Sequence, residues 1–138
     1  MNRVLSVLIT SAFLVLVGVQ QSAHAAPFSR SQTVARLVEH SPWKGIWEAT
    51  QGEVAFQVTF KISGGKLTGT AWKNHSPMYD IVVTGNRVTF HIFSSGKRKI
   101  DFEGFLTEGN LSGTASGPES RNVYRRFTVN WNVSPSSD

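Results

Sequence analysis

From Glu53 to Ile62 the chain reads EVAFQVTFKI, and apolar side chains fall on every second position. Val54, Phe56, Val58, Phe60 and Ile62 share one face. Glu53, Gln57, Thr59 and Lys61 share the other, with Ala55 among them. A period of two is the pattern of a half-buried strand. It recurs in RVTFHIF (Val88, Phe90, Ile92), in KIDFEGFL (Ile100, Phe102, Leu106) and in RFTVNWNV (Phe127, Val129, Trp131, Val133). Weaker versions run from Trp43 to Ala49, from Met78 to Thr84, and through two similar stretches, SGGKLTGTA (63–71) and TEGNLSGTA (107–115). About eight strands result, most of them separated by short turn signals. One wet and one dry face per strand belongs to antiparallel sheets, because buried parallel strands read as continuous apolar runs. A long meander has two bare edges, and closing it removes both. The expected fold is all-β: an up-and-down antiparallel barrel of about eight strands, filled with side chains or holding one small ligand.

One segment breaks the period. Phe28 to His40 places Val34, Leu37 and Val38 on one helical stripe, with Ser29 or Ser31 as N-cap and Pro42 preventing continuation. This short helix precedes the barrel and needs its stripe packed to persist.

The two similar stretches read as equivalent hairpins. Gly64-Gly65 and Glu108-Gly109 sit where a two-residue turn needs positive φ. After each turn Leu67, Gly69 and Ala71, or Leu111, Gly113 and Ala115, share a face. Mid-strand glycines let strands coil tightly enough to close a barrel. The functional alternative is that Gly69, Ala71, Gly113 and Ala115 leave room for a ligand or for the N-terminal helix.

Gly45-Ile46-Trp47 is a G-x-W just after the short helix. It resembles the opening of lipocalins and, more broadly, of the calycin superfamily. The resemblance implies a calycin-like barrel in which a basic residue of the last strand covers the early Trp. Arg125, of one parity with Phe127, Val129 and Trp131, is the matching residue and is expected to point inward over Trp47. GIWEATQGEVAFQVTF followed by GGKLTGTA is also similar to the first three strands of avidin-type barrels. The biotin-contacting residues of that family do not carry over. The loop after the G-x-W is Glu48 to Glu53, without the family's Asn and Ser, and Ala71 stands where the family has Tyr after L-T-G-T. The likeness implies a barrel and argues against biotin.

The first residues change the domain picture. Met1-Asn2-Arg3 is a positive start, Val4 to Val19 is apolar apart from Ser, Thr and Gly, and Ala23-His24-Ala25 is an A-x-A cleavage signal. Residues 1–25 are read as a signal peptide cleaved after Ala25, 26–41 as the segment with the helix, and 42–138 as the barrel. Export to the periplasm or beyond is expected, with no membrane span in the mature chain. The 138 residues contain no cysteine, so neither a lipid-acylated cysteine nor a disulfide is available.

Charge adds little. Fourteen Lys and Arg against nine Asp and Glu give +5, and removing Arg3 lowers this by one. The basic residues are dispersed, unlike a nucleic-acid interface. Lys97-Arg98-Lys99 is the dense spot. It is read as a solvated hairpin tip in preference to a site for an anionic partner such as a lipid head group.

Candidate chemistry is sparse. His40, His75 and His91 follow the signal segment, with no two at metal-ligand spacing. No G-x-S-x-G elbow occurs. Asp101 and Glu103 lie on one outward face beside Lys99 and read as surface charges. No cofactor, no metal and no catalytic constellation is expected. The leading expectation is a non-enzymatic binding module for a small apolar or amphiphilic ligand. Its barrel mouth would be lined by Trp43, Trp47, Tyr79 and the small residues Gly69, Ala71, Gly113 and Ala115, with Arg125 beside them. The alternative is a protein-binding module, such as an inhibitor of a protease or lysozyme or an envelope-complex subunit. In that reading Trp72, Phe93 and Phe105, outward by parity, form the contact surface.

Overall fold

The computed structural model describes residues 28–72, 75–94, 97–119 and 122–136, and the expected signal segment 1–25 lies outside them. Helix α1 (Arg30–Glu39) starts at Ser29. The Ser29 hydroxyl accepts from the Gln32 amide at 3.2 Å, and the Gln32 side chain accepts from the Ser29 amide at 2.9 Å. This reciprocal cap satisfies two orphan donors of the first turn. Leu37 is fully buried, and Val34 and Val38 pack beside it on the core. The helix ends at His40, and a cis Ser41-Pro42 bond leads into the sheet.

Nine strands follow: β1 (Trp43–Ala49), β2 (Gly52–Ser63), β3 (Lys66–Ala71), β4 (Ser76–Pro77), β5 (Tyr79–Thr84), β6 (Arg87–Ser94), β7 (Arg98–Leu106), β8 (Leu111–Glu119) and β9 (Asn122–Pro135). They form one antiparallel sheet in the order β4-β3-β2-β1-β9-β8-β7-β6-β5. The last strand pairs with the first, Trp131 opposite Trp47 and Val133 opposite Gly45. Neighbours in sequence are neighbours in the sheet, except where β4 meets β5. There the edges approach, β4 against β6 and β3 against β5, without ladder pairing among the described residues. The molecule is therefore a nearly closed barrel with one seam. It has nine strands rather than about eight because the chain from Ser76 to Thr84 is split at Met78. Ser76–Pro77 pairs with β3, and Tyr79–Thr84 pairs with β6.

The alternation places side chains as expected. Phe56, Val58, Phe60, Val88, Phe90, Ile92, Ile100, Phe102, Leu106, Val129, Trp131 and Val133 all lie in one buried cluster. Val54 and Ile62, at the two ends of the long β2, have the same parity but are exposed. Each end of β2 is paired on one side only, with β1 at Val54 and with β3 at Ile62.

The two similar hairpins differ at their turns. Gly64 and Gly65 both have positive φ (57° and 76°) in a two-residue loop, Ser63 pairing with Lys66. Leu106 pairs instead with Leu111, so four residues form the second loop. The Thr107 amide donates to the Asn110 carbonyl at 2.9 Å, and the Thr107 hydroxyl donates to the Asn110 side chain at 2.9 Å. With side chains holding the longer loop, Gly109 needs no left-handed backbone and has none.

One end of the barrel is plugged. The α1 helix lies against β2 and β5, across the seam. The hydroxyl of fully buried Thr33 donates to the Gly85 carbonyl at 2.6 Å, in the β5–β6 turn. Ser41 donates to the Leu37 carbonyl at 2.7 Å and accepts from the Phe60 amide at 2.8 Å. The Trp43 indole, 2% exposed, donates to the same Leu37 carbonyl at 3.0 Å. The Thr33, Ser41 and Trp43 side chains thus all find partners inside the fold, which ties the plug to the barrel.

Candidate functional site

A continuous run of rings leads from the plugged end toward the other. Phe60 meets Phe90 edge-on at 6.3 Å, Phe90 stacks on Phe102 at 4.8 Å, and Phe102 stacks on Phe56 at 5.8 Å. Trp47 lies against Phe56 and Phe102, and Trp72 closes on Trp47 at 4.5 Å with an interplanar angle of 86°. Beyond Trp47 the rings no longer fill the barrel. A cup of about 720 Å³ opens there, at the end where β1 meets β2, β6 meets β7 and β8 meets β9.

The cup has a buried apolar floor of Trp47, Ile92, Ile100, Phe102 and Val129. Trp72, Phe127 and Ala49 form half-buried walls, and Thr50, Gln51, Ser76, Ser94, Arg98 and Glu119 supply the polar positions. This division follows from strand geometry. Inward positions near mid-barrel are apolar, and the same parity carried to the strand ends yields Ser94 on β6 and Arg98 on β7.

Of the residues expected to line a ligand site, Trp47 does so. Trp43 is buried at the plugged end, held by its bond to Leu37. The small residues do not leave free space. A Cβ on Gly69 would meet the Thr59 carbonyl at 2.6 Å and the Met78 sulfur at 2.7 Å, and one on Gly113 would meet the backbone of Glu103. Ala71 and Ala115 are packed, at 0% and 1% exposure. These positions bring strands and core side chains together, which is the barrel-closing role.

Tyr79 lies on the outer wall. Between Tyr79 and Val82 the β5 strand carries two residues, Asp80 and Ile81, where β6 opposite has only Phe90 between His91 and Thr89. Asp80 takes a positive φ of 54° in this bulge. One extra residue reverses parity, so Val83 points in while Tyr79 points out and stacks on His91 at 5.6 Å. Asp80 approaches His91 Nδ1 at 3.6 Å, and Phe93 meets both rings edge-on.

Arg125 also departs from expectation. Its side chain is 71% exposed and pairs with Glu119 at 3.7 Å instead of covering Trp47. The β8–β9 register shifts between Asn122 and Arg126, which releases Arg125 from the parity of Phe127. Trp47 is covered by Trp72 and Phe127. Trp72 was expected on the outside as the residue after inward Ala71. Its strand ends there, and a φ of 73° swings the indole back over the mouth.

Phe93 and Phe105 are exposed as expected. Phe93 pairs with Lys99 and Phe105 with Arg87, at opposite ends of the β6–β7 ladder. Six residues at ~3.3 Å each separate them by about 20 Å. With Trp72 inside the mouth, the three do not form one patch.

Among the described residues no three His, Asp or Glu side chains gather as a metal site, and no helix is long and apolar enough to cross a membrane. Asp101 and Glu103 face outward, Asp101 near Lys99 and Arg126, Glu103 on Arg87. Sequence reasoning missed Trp72, Phe127, Ser94 and Arg98 as members of one site. Parity already pointed Arg98 inward with Ile100 and Phe102, but its lysine neighbours drew it into the reading of a solvated tip. No family model, curated protein or solved structure matches this chain.

Proposed function

We propose that this protein is an exported, non-enzymatic binding module that takes a small apolar or amphiphilic ligand into the open end of its barrel. One observation carries the reading. A barrel packed with rings over most of its length leaves a cup of about 720 Å³ at one end, floored by Trp47, Phe102, Ile92, Ile100 and Val129. That volume lies in the range of small-molecule sites, ~300–1,000 Å³, and the combination of apolar floor and sparse polar rim is typical of them. Burial of apolar ligand surface contributes ~25 cal/mol per Å², and the rings supply that surface in rigid form. The nearly closed antiparallel sheet agrees with the calycin resemblance at the level of architecture. The outward Arg125 departs from it.

Intrinsic fluorescence tests the reading, because Trp47 and Trp72 both line the cup. Titration with a fluorescent fatty-acid probe is expected to give saturable binding with energy transfer from tryptophan. Native mass spectrometry of protein isolated from its host is expected to show a bound small molecule. Trp72→Ala is expected to weaken the probe about tenfold, equivalent to ~1.4 kcal/mol. A probe that does not bind, or binds Trp72→Ala unchanged, removes the cup from consideration.

A further inference from the structure

The polar end of the cup specifies what its occupant carries, provided the open end is the binding site proposed above. Ser94 and Arg98 are direct register partners across the β6–β7 ladder, on the inward face. Directly opposed residues have Cβ atoms ~5 Å apart, so the two side chains act as one group. Arg98 is half-buried, and its Nη1 donates to the Pro118 carbonyl at 2.9 Å. That acceptor is neutral.

Arg98 is the one cation among the described residues that line the cup, whereas Lys97, Lys99, Arg125 and Arg126 near this end are exposed. Lys99 and Arg126 approach Asp101 at 3.9 and 4.0 Å, and Arg125 approaches Glu119 at 3.7 Å. Among the described residues no ion pair includes Arg98. Glu119 also lines the cup, but Arg125 offsets its charge. Beside the guanidinium, the Ser94 hydroxyl oxygen is buried without a hydrogen-bond partner. A buried hydroxyl in that state carries its desolvation cost unrelieved. A guanidinium with an uncompensated charge and a hydroxyl with an unused proton therefore stand side by side above an aromatic floor.

We infer that the cup takes a single-chain amphiphile with an anionic oxygen head group, a carboxylate, sulfate or phosphate monoester. The head lies on Arg98 and Ser94, and the tail lies on Trp47, Trp72 and Phe127. Charge-assisted bonds from a planar guanidinium suit such heads, and the fork geometry admits two oxygens at once. The rotatable Ser94 hydroxyl, which no protein group engages, turns toward the head and donates to it.

The test holds the tail constant and varies the head. Dodecanoate and dodecyl sulfate, dodecyl maltoside and dodecyltrimethylammonium are titrated below their micelle concentrations, followed by tryptophan emission, with stoichiometry from native mass spectrometry. The anionic pair is expected to bind at least about tenfold tighter than the neutral amphiphile, with the preference shrinking as salt is raised. Arg98→Gln is expected to abolish the preference, bringing the anionic pair down to the affinity that the same variant shows for dodecyl maltoside. Arg98→Lys retains part of it, and Ser94→Ala weakens the anions a few-fold. Circular dichroism checks that each variant folds. If Arg98→Gln does not, the salt dependence of the native protein and the Ser94→Ala result decide. Equal affinity for all heads, a preference for the cation, or an anion preference that survives Arg98→Gln overturns the head-group assignment while leaving the cup a ligand site. Failure of every amphiphile to bind overturns both.

Discussion

At Gly113 the backbone of β7 occupies the space that a side chain on β8 would need. A methyl group there would collide with the Glu103 carbonyl, and backbone cannot move aside as a flexible side chain does. Gly104 serves a similar end by another means. The indole of Trp131 occupies the place of its missing side chain and is fixed by a 2.9 Å bond from Nε1 to the Thr114 carbonyl. Gly113→Ala is therefore expected to lower the free energy of unfolding by roughly 1–3 kcal/mol or more. Gly109→Ala, at a site with nothing within 4 Å, is expected to stay within about 0.5 kcal/mol. Urea unfolding followed by tryptophan fluorescence compares the two, and equal stabilities would contradict the packing seen at Gly113. Thr33 is a second such residue. Thr33→Val keeps the shape, removes the donor to Gly85 and leaves a carbonyl unsatisfied, so a loss of about 1–3 kcal/mol is expected in the same assay. The presence of Gly113 was legible in the sequence as a glycine in mid-strand. The identity of what approaches it was not, because Glu103 reaches it only through the register of β7 on β8.

Among the elements, α1 shows how local and tertiary terms divide. Its start was readable from Ser29 and its stripe from Val34, Leu37 and Val38. Its placement across the seam depends on Thr33 and Ser41 finding carbonyls and amides far along the chain. Ser29→Ala removes only the cap and is expected to cost ~1 kcal/mol. Leu37→Ala leaves a cavity at the plug and is expected to cost about 2–5 kcal/mol. Thermal and urea unfolding of the two variants separate these effects. If they cost the same, α1 is held by its own propensity and not by the barrel. Strands β2, β6 and β7 obeyed their alternation because each is continuous across the wall. The β5 strand did not, because one extra residue near Asp80 turned Tyr79 outward, and alternation carries no sign of where an extra residue falls.

At the scale of the whole molecule, the weak line of the sheet is its seam. The first and last strands are zipped together, while β3 faces β5 and β4 faces β6 without ladder bonds among the described residues. Val82, on β5, is 53% exposed. Backbone amides without ladder partners exchange through small local openings. Hydrogen–deuterium exchange is expected to label amides of β5 that face β3 at least about tenfold faster than those of β8, which pairs on both sides. Uniform protection around the barrel would mean that the seam is closed in solution. The sequence by itself determined that the chain is a single antiparallel barrel with a helix before it. Which side chains are oily, and that successive side chains of a strand face opposite ways, are local facts carried by every residue. The tertiary structure alone decided which end stays open, where the ladder bulges, and that Trp47, Trp72, Phe127, Ser94 and Arg98 surround one cup. Those outcomes depend on the registers of strands distant along the chain, and a shift of one residue in any of them reverses which side chains meet.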